Sequence, residues 1–389
     1  MVQTVFKSLL CTNFQVKFLI IINGSGGKGI GGGDYHMFQV MKEWSKEHDI
    51  SMLMPLVGFL LYRPLLLDKY KIYYTAFGTK PTESFRLIPA YFNRIMRSLL
   101  LHFNDKPDVI ICTTHLLFDT LPGIILQFRF RTKLVVYVHH IIGKHVDDRG
   151  GLLSRISILG EKLSLFLIRS ANTILVVNEE VRSDLIEMGF DPTKIYISGN
   201  GLDYSYIATI KPGNTSYEAC FCGSLRKNKG IYDLIKIWKL VTGRYPNSRL
   251  VIVGDGPEYS SLLNNVKEMN LVKSIKLMGF ISEGDKFQIM KSSKVFIFPS
   301  YEEGWGIAVA EAIACGLDVV LYDIGIYKAF DKHVNMVEKA NTTKMAEIII
   351  ALMEKENHKK KEEKNLVRIN SVLDWQEVAN IEMHSIMGS

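Results

Sequence analysis

Residues 298–316 read Phe-Pro-Ser-Tyr-Glu-Glu-Gly-Trp-Gly-Ile-Ala-Val-Ala-Glu-Ala-Ile-Ala-Cys-Gly. Seven residues separate Glu303 from Glu311. Glu303 falls in the loop that follows an apolar run, and Glu311 in the helical stretch after it. Ionised carboxylates accept hydrogen bonds from hydroxyl groups, so two at this separation can hold two sugar rings. Gly304 and Gly306 leave the backbone around Trp305 open to close approach, with N–H groups able to point at a ligand. An ordinary surface helix gives no reason for Gly-Trp-Gly between two glutamates.

Three further segments offer chemistry. Residues 223–230 read Gly-Ser-Leu-Arg-Lys-Asn-Lys-Gly. Arg226, Lys227 and Lys229 put three cations in four residues, directly after an apolar run, as a diphosphate clamp would. A solvated basic turn has the same composition. Residues 23–33 read Asn-Gly-Ser-Gly-Gly-Lys-Gly-Ile-Gly-Gly-Gly. Bare N–H groups at the start of a helix suit a phosphate. A Walker A loop fails, because Ile22 stands where Gly is required and Gly29 where Ser or Thr is required. Gly24, Gly26 and Gly29 match G-x-G-x-x-G, yet the next strand does not end in the acidic residue that would hold a ribose. His139 and His140 follow the apolar run 133–138. An imidazole there can hydrogen-bond a substrate hydroxyl near neutral pH, and an uninvolved loop histidine fits the spacing too.

Strands must position these segments. Apolar runs of strand length occur at 16–22, 108–112, 133–138 and 173–177, then at 219–222, 249–253, 274–278, 295–298 and 318–322. Helical patterns lie between them, at 37–48, 92–103 and 152–170, then at 231–240, 259–269, 284–292, 308–314 and 343–354. Continuous apolar strands alternating with helices imply parallel sheets covered on both faces. The expected fold class is α/β, with two doubly wound, Rossmann-like domains facing across a cleft. The expected boundaries are 1–202 for the first domain, 203–217 for a linker holding Pro212, Gly213 and Asn214, and 218–371 for the second domain. Residues 372–389 read as a C-terminal helix crossing back to the first domain. Ligands in such sheets bind beyond the carboxyl ends of strands.

The 389 residues are 47% apolar and 22% charged, which excludes a disordered, collagen-like or coiled-coil chain. Five cysteines are too few and too scattered for a disulfide scaffold, and a reducing compartment fits. Cys220 and Cys222 lack a partner pair or His cluster for zinc. The net charge of +7 permits an anionic partner and does not demand one. The longest apolar run, 52–62, holds Pro55 and Gly58 and is far shorter than the ~20 residues of a spanning helix. The stretch 85–103 sets Arg86, Arg94 and Arg97 among Leu87, Ile88, Ile95, Met96, Leu99 and Leu100. A helix over 92–103 therefore reads as a candidate contact with anionic lipid, with 52–61 as a second contact. A core helix against a sheet has the same pattern.

The order of these motifs resembles the retaining glycosyltransferases with two Rossmann-like domains (the GT-B type), specifically family four, the glycosyl transferases group 1. Residues 250–258 (Leu-Val-Ile-Val-Gly-Asp-Gly-Pro-Glu) resemble the strand and turn of its nucleotide domain. Residues 197–203 (Ile-Ser-Gly-Asn-Gly-Leu-Asp) resemble its interdomain segment, and 279–286 (Gly-Phe-Ile-Ser-Glu-Gly-Asp-Lys) its base-binding loop. Residues 373–376 (Leu-Asp-Trp-Gln) resemble the start of its last helix. The likeness is strong over 220–320 and weak over 51–106. It implies that Gly32 and Gly33 lie near the donor diphosphate, that His139 faces the donor sugar and that Lys229 binds the diphosphate. Glu303 would hold hydroxyls of the transferred sugar and Glu311 the ribose. Gly304, Trp305 and Gly306 would offer backbone donors, and Phe280 and Ile281 would line the nucleobase. The family usually carries Arg directly after the glycine of the clamp. Ser224 stands there, with Arg226 as the expected substitute. Asp318 stands where the family usually has Pro.

The implied activity is transfer of a sugar, with retention, from a nucleotide-diphosphate sugar to an acceptor hydroxyl on a glycan, glycolipid or lipid-linked intermediate. His139, Glu303, Lys229 and Arg226 are the expected catalytic set. Cations and helix N-termini can stabilise the departing diphosphate, and no convincing D-x-D motif appears, so neither a metal nor another cofactor is expected. Neither glutamate is assigned as a nucleophile. The expected partners are donor and acceptor, with an anionic membrane surface as a candidate and no nucleic acid. The expected location is the cytoplasm, with its membrane face as a candidate. A sugar-nucleotide epimerase on the same fold and a non-catalytic sugar-nucleotide binder stay open. A phosphorylase would need a pyridoxal-phosphate lysine that nothing singles out, and an NAD-dependent oxidoreductase is a weaker rival.

Overall fold

The computed structural model describes residues 15–24, 31–80, 87–141, 152–357, 366–369 and 372–388. Gly26, Lys28, Gly29 and Arg86 lie outside the described residues. The chain divides into two compact units. One comprises Met1–Gly27, Gly33–Ile197 and Ala379–Ser389, the other Lys28–Gly32 and Ser198–Val378.

The first unit is built on seven strands: β1 (Lys17–Ile21), β2 (Asp49–Met54), β3 (Lys71–Tyr74), β4 (Val109–Cys112), β5 (Lys133–Val138), β6 (Thr173–Val176) and β7 (Ile195–Ile197). They form one sheet in the order β3-β2-β1-β4-β5-β6-β7, every neighbour parallel. Leu19, Ile20, Ile110, Ile111, Leu134 and Val135 are buried without alternation, because helices cover both faces. Those helices are α1 (Gly32–Trp44), α2 (Leu56–Tyr62), α3 (Leu87–Leu100), α4 (Leu117–Phe130), α5 (Leu152–Leu167) and α6 (Glu179–Glu187). Right-handed crossovers put α1 and α2 on one face and α3 to α6 on the other, since the strand order reverses between β1 and β4.

Several boundaries differ from the sequence reading. Helix α1 begins at Gly32 rather than 37, with Asp34 in its first turn, where a carboxylate suits the helix dipole. Helix α3 covers Leu87–Leu100 rather than 92–103. Pro89 is tolerated there because the first helical N–H groups have no intrahelical acceptor. Arg94 is not part of a basic surface fringe: it is 3% exposed and Nη1 donates to the Asn23 carbonyl at 2.5 Å. Met52 to Met54 are buried in β2, so that stretch offers apolar surface only from Leu56 onward, at half-buried Leu56 and Phe59 and exposed Leu60.

The second unit carries β9 (Tyr217–Cys222), β10 (Leu250–Val253), β11 (Ile275–Gly279), β12 (Ser293–Phe298), β13 (Asp318–Tyr322) and β14 (Val334–Val337). Their order is β11-β10-β9-β12-β13-β14, again all parallel. Stacked Phe221, Phe296 and Phe298 fill the centre. The helices are α7 (Tyr204–Thr209), α8 (Ile231–Arg244), α9 (Tyr259–Glu268), α10 (Glu283–Lys291), α11 (Ile307–Ala314) and α12 (Thr342–Asn357). Residues 203–217 have structure of their own. Asp203 caps α7 by accepting from Tyr206 N–H at 2.8 Å, and buried Lys291 donates to the carbonyls of Ile207 and Ile210 at 2.5 and 2.7 Å. Nearby, β8 (Gly201–Leu202) pairs with β15 (Leu373–Asp374) ahead of α13 (Trp375–Met387).

Candidate functional site

In the second unit the strand order reverses between β9 and β12, which opens a crevice at their carboxyl ends. The chain leaving β9 is the basic turn, and the chain leaving β12 is the loop that holds Glu303. The two are tied together: Tyr301 N–H donates to the Asn228 carbonyl at 2.8 Å, and Ser300 Oγ donates to the same oxygen at 3.2 Å. Lys229 Nζ donates to Glu303 Oε1 at 2.5 Å and reaches the Glu302 carbonyl at 3.5 Å. The Lys229 and Glu303 side chains are only 19% and 11% exposed.

Beyond Glu303 the chain turns through Gly306 at φ 97°, a left-handed value that an L side chain resists, and enters α11. The first N–H groups of α11 thus lie a few residues from Glu303, at the positive end of a helix dipole. Trp305 packs edge-on against Phe330 with ring centres 5.3 Å apart. Tyr327 is 1% exposed, and its hydroxyl has no hydrogen-bond partner among the described residues. Burial, then the neighbouring Glu303 carboxylate, push that hydroxyl well above the usual range. Behind the loop, Asp233 accepts from Tyr301 and, at 3.1 Å, from Tyr322. Burial and Asp233 push the Tyr301 hydroxyl up to about 12.

Glu311 lies in α11, 4% exposed, and accepts from Lys286 Nζ at 2.6 Å. Burial pushes its carboxyl up, and the Lys286 ammonium opposes that push. The site thus contains two cation–carboxylate pairs, Lys229–Glu303 and Lys286–Glu311. Arg226 is exposed at the cap of the turn Lys227–Lys229. Phe280 is 63% exposed. Ile281 lines a cavity of about 370 Å³ with Tyr217, Met278 and Gln288, and neither Lys229 nor Glu303 borders it.

In the first unit the reversal falls between β1 and β4. Gly32 opens α1, and a Cβ added to Gly33 would lie 2.7 Å from His139 Nε2, so glycine lets the helix start against the imidazole. His139 Nε2–H donates to the Thr113 carbonyl at 3.1 Å, and the ring stacks on Tyr137. Burial, with His36 and His140 nearby, pushes His139 down to about 3. The imidazole is therefore neutral at pH 7, with Nδ1 as its acceptor. His140 is exposed. Beneath His139, Glu382 of α13 is fully buried and holds two of its neighbours. Its Oε1 is 2.7 Å from His36 Nε2, and its Oε2 accepts from Tyr137 at 2.6 Å.

Asn23, after β1, is fixed on every side. Its N–H donates to Asp119 Oδ1 at 2.7 Å, its Nδ2 donates to the Phe118 carbonyl at 3.0 Å, and its Oδ1 accepts from Thr75 at 2.8 Å. Asp119 is buried in α4 and pushed up to about 7 by that burial. Among the described residues, no three His, Cys, Asp or Glu side chains gather as a metal site would require.

Sequence reasoning missed Lys286, Asp119 and Glu382. Lys286 ends the segment 279–286 and shows its role only when α10 sets it beside Glu311. Glu382 left a faint signal, a carboxylate on the buried stripe Ala379, Glu382 and Ile386.

The family model described as glycosyltransferase family 4 matches residues 30–206, and the model described as glycosyl transferases group 1 matches residues 207–367. An uncharacterized glycosyltransferase of Methanocaldococcus jannaschii is 30% identical over 283 residues, 67% of this chain and 67% of that protein. Glycogen synthase of Mycobacterium tuberculosis is 23% identical over 57% of this chain, and the match spans only 53% of its length. A capsular polysaccharide biosynthesis glycosyltransferase of Staphylococcus aureus is 23% identical over 68% of this chain and 72% of its own. The crystal structure of Anabaena HepE in complex with UDP and glucose shares the fold with a TM-score of 0.72 at 17% identity, covering 96% of this chain and 100% of that one. The two-sheet architecture, the paired motifs at the strand-order reversals and these matches agree that the chain belongs to the glycosyl transferases group 1, within glycosyltransferase family 4.

Proposed function

We propose that the protein transfers a sugar, with retention of anomeric configuration and without a metal, from a nucleoside-diphosphate sugar to an acceptor hydroxyl. The observation that carries this reading is the Lys229–Glu303 pair at the strand-order reversal of the second unit, next to the N-terminus of α11. Lys229, with Arg226 on the same turn, takes the diphosphate. Glu303 takes hydroxyls of the transferred sugar, and Glu311 takes the ribose. Lys286 holds Glu311 until the ribose arrives. Phe280 and Ile281 flank the base. The UDP bound to Anabaena HepE makes a uridine nucleotide the first donor to test.

As the bond from the anomeric carbon to the phosphate oxygen breaks, negative charge grows on the diphosphate, and Lys229, Arg226 and the helix N–H groups oppose it. The acceptor oxygen bonds to the anomeric carbon from the same face, and its proton passes to the departing phosphate oxygen. Neutral His139 contributes hydrogen bonding rather than charge, and Gly32 and Gly33 leave room for the donor near it. A glycan or lipid-linked acceptor and a cytoplasmic location complete the reading.

A panel of sugar nucleotides in a thermal-shift assay identifies the donor, since a ligand at about 100 times its Kd stabilises by ~2.7 kcal/mol. With that donor, Glu303→Ala and Lys229→Ala are expected to lower kcat/KM by about a thousandfold or more while the circular dichroism spectrum is kept. Wild-type turnover in either variant would remove the site assignment. Activity is expected to survive a chelator, and a strict divalent-metal requirement restored by re-addition would overturn that part.

A further inference from the structure

Three neighbouring helices of the first unit, α3, α4 and α5, turn an apolar face to solvent. On α3, Ile88, Phe92, Met96 and Leu100 recur every four residues and are 40–79% exposed. On α5, Leu159, Leu163 and Phe166 are 51–70% exposed at spacings of four and three. Helix α4 lies between them, packs against both and adds Phe128, 71% exposed. Helical spacing puts each set on one stripe, and all three helices cover the same side of the sheet. The stripes therefore lie side by side. Of the 22 large apolar side chains exposed among the described residues, ten belong to these helices. Soluble monomers rarely gather apolar surface in this way.

Charge selects the occupant. Arg97, Arg129, Arg155 and Lys162 are exposed on the same helices. Their two carboxylates are buried, Asp119 beneath Asn23 and Glu161 at 2.8 Å from His115. Among the described residues, every exposed charge of α3, α4 and α5 is thus positive. A second copy seated on this face about a two-fold axis would set cations against cations. Helix α6, with exposed Glu179, Glu180 and Glu187, is acidic and bounds the face. No described helix is long and apolar enough to cross a membrane, so any bilayer contact made here is interfacial.

We propose that the α3–α4–α5 face docks the protein on the surface of an anionic lipid bilayer, its aromatic and aliphatic stripes among the headgroups and its cations toward the lipid phosphates. Docking is separate from sugar transfer, which a soluble acceptor would satisfy equally, so binding is measured without turnover.

The test is co-sedimentation of the full chain with vesicles of phosphatidylglycerol and phosphatidylcholine in equal parts, against vesicles of phosphatidylcholine alone. At low salt, partitioning to the anionic vesicles is expected to be at least tenfold higher, and to fall steeply by about 0.5 M salt. Arg155→Glu combined with Lys162→Glu is expected to reduce it tenfold or more. A Phe166→Trp variant keeps the apolar surface, and its added fluorescence is expected to be quenched by brominated acyl chains. The signal added by Val272→Trp, at an exposed apolar site of the second unit, is not. Equal recovery in the supernatant with both vesicles, or no quenching of the Phe166→Trp variant, would overturn the proposal. A concentration-dependent dimer abolished by Phe92→Ser, without vesicle binding, would also overturn it and give the face to a second copy.

Discussion

Tyr327 carries a hydroxyl buried beside the Gly306 turn with no partner among the described residues. An unsatisfied buried donor costs about 1–3 kcal/mol, so deleting the oxygen and keeping the ring removes a penalty. Tyr327→Phe is therefore expected to raise unfolding stability by about 1 kcal/mol or more, read from urea midpoints. A loss of 1 kcal/mol or more would mean that the hydroxyl has a partner in solution. Asp119 makes a second residue-level prediction. Its folded-state value of about 7 lies above its ordinary 3.8, so protonation favours the folded state. Stability from this group is complete below about pH 4, is lost as pH rises toward 7, and is level above that. Asp119→Asn is expected to abolish that slope and to exceed the wild type at pH 8 by roughly 2–4 kcal/mol. An unchanged slope would assign it to another group.

At the scale of elements, central strands were legible because burial on both faces leaves continuous apolar runs, as in β1, β4 and β12. Edge strands were not: β3 mixes Lys71 with half-buried tyrosines, and β7 has three residues. Helix α4 was hidden by Pro122 in its middle. The loops holding Lys229 and Glu303 could be read because glycines and charges cluster within a few residues there. The supports, Asp119 and Glu382, could not, because their partners lie far away in sequence and only the fold joins them. Gly306 predicts a cost for one element boundary. A Cβ there would lie 2.9 Å from Tyr327 Cε1 at φ 97°, so Gly306→Ala is expected to destabilise by about 1–3 kcal/mol and to weaken donor binding. Calorimetric titration with the donor reads the second effect, and unchanged affinity would detach the turn from the site. Helix α13 predicts another. Glu382→Ala removes the acceptor that Tyr137 uses and one contact of His36, and is expected to cost about 3 kcal/mol, against about 1 for Glu382→Gln, by chemical denaturation.

On the scale of the whole molecule, the two units differ in how the chain builds them. Ser198–Val378 supplies nearly all of the second unit as one continuous segment, whereas the first needs Ala379–Ser389 as well as Gly33–Ile197. An isolated fragment of residues 198–378 is expected to unfold cooperatively, and a fragment ending at Ile197 to lack a sharp melting transition until a peptide covering α13 is added. Sharp melting of that shorter fragment alone would make α13 dispensable.

The buried Glu382 gives this arrangement a consequence in time. During synthesis the seven strands of the first sheet emerge early, but the carboxylate that satisfies His36 and Tyr137 follows only after Ser198–Val378 has been made. At about 5–20 residues per second, that is a wait of roughly 10–40 s. Throughout it, the floor beneath His139 lacks the Glu382 side chain, and the stretch of β5 at Lys133 and Tyr137 that α13 contacts stays uncovered by it. A ribosome that stalls within the second unit thus releases a chain whose first sheet is complete but whose first unit still lacks α13, so truncation in the second unit leaves the first unfinished as well.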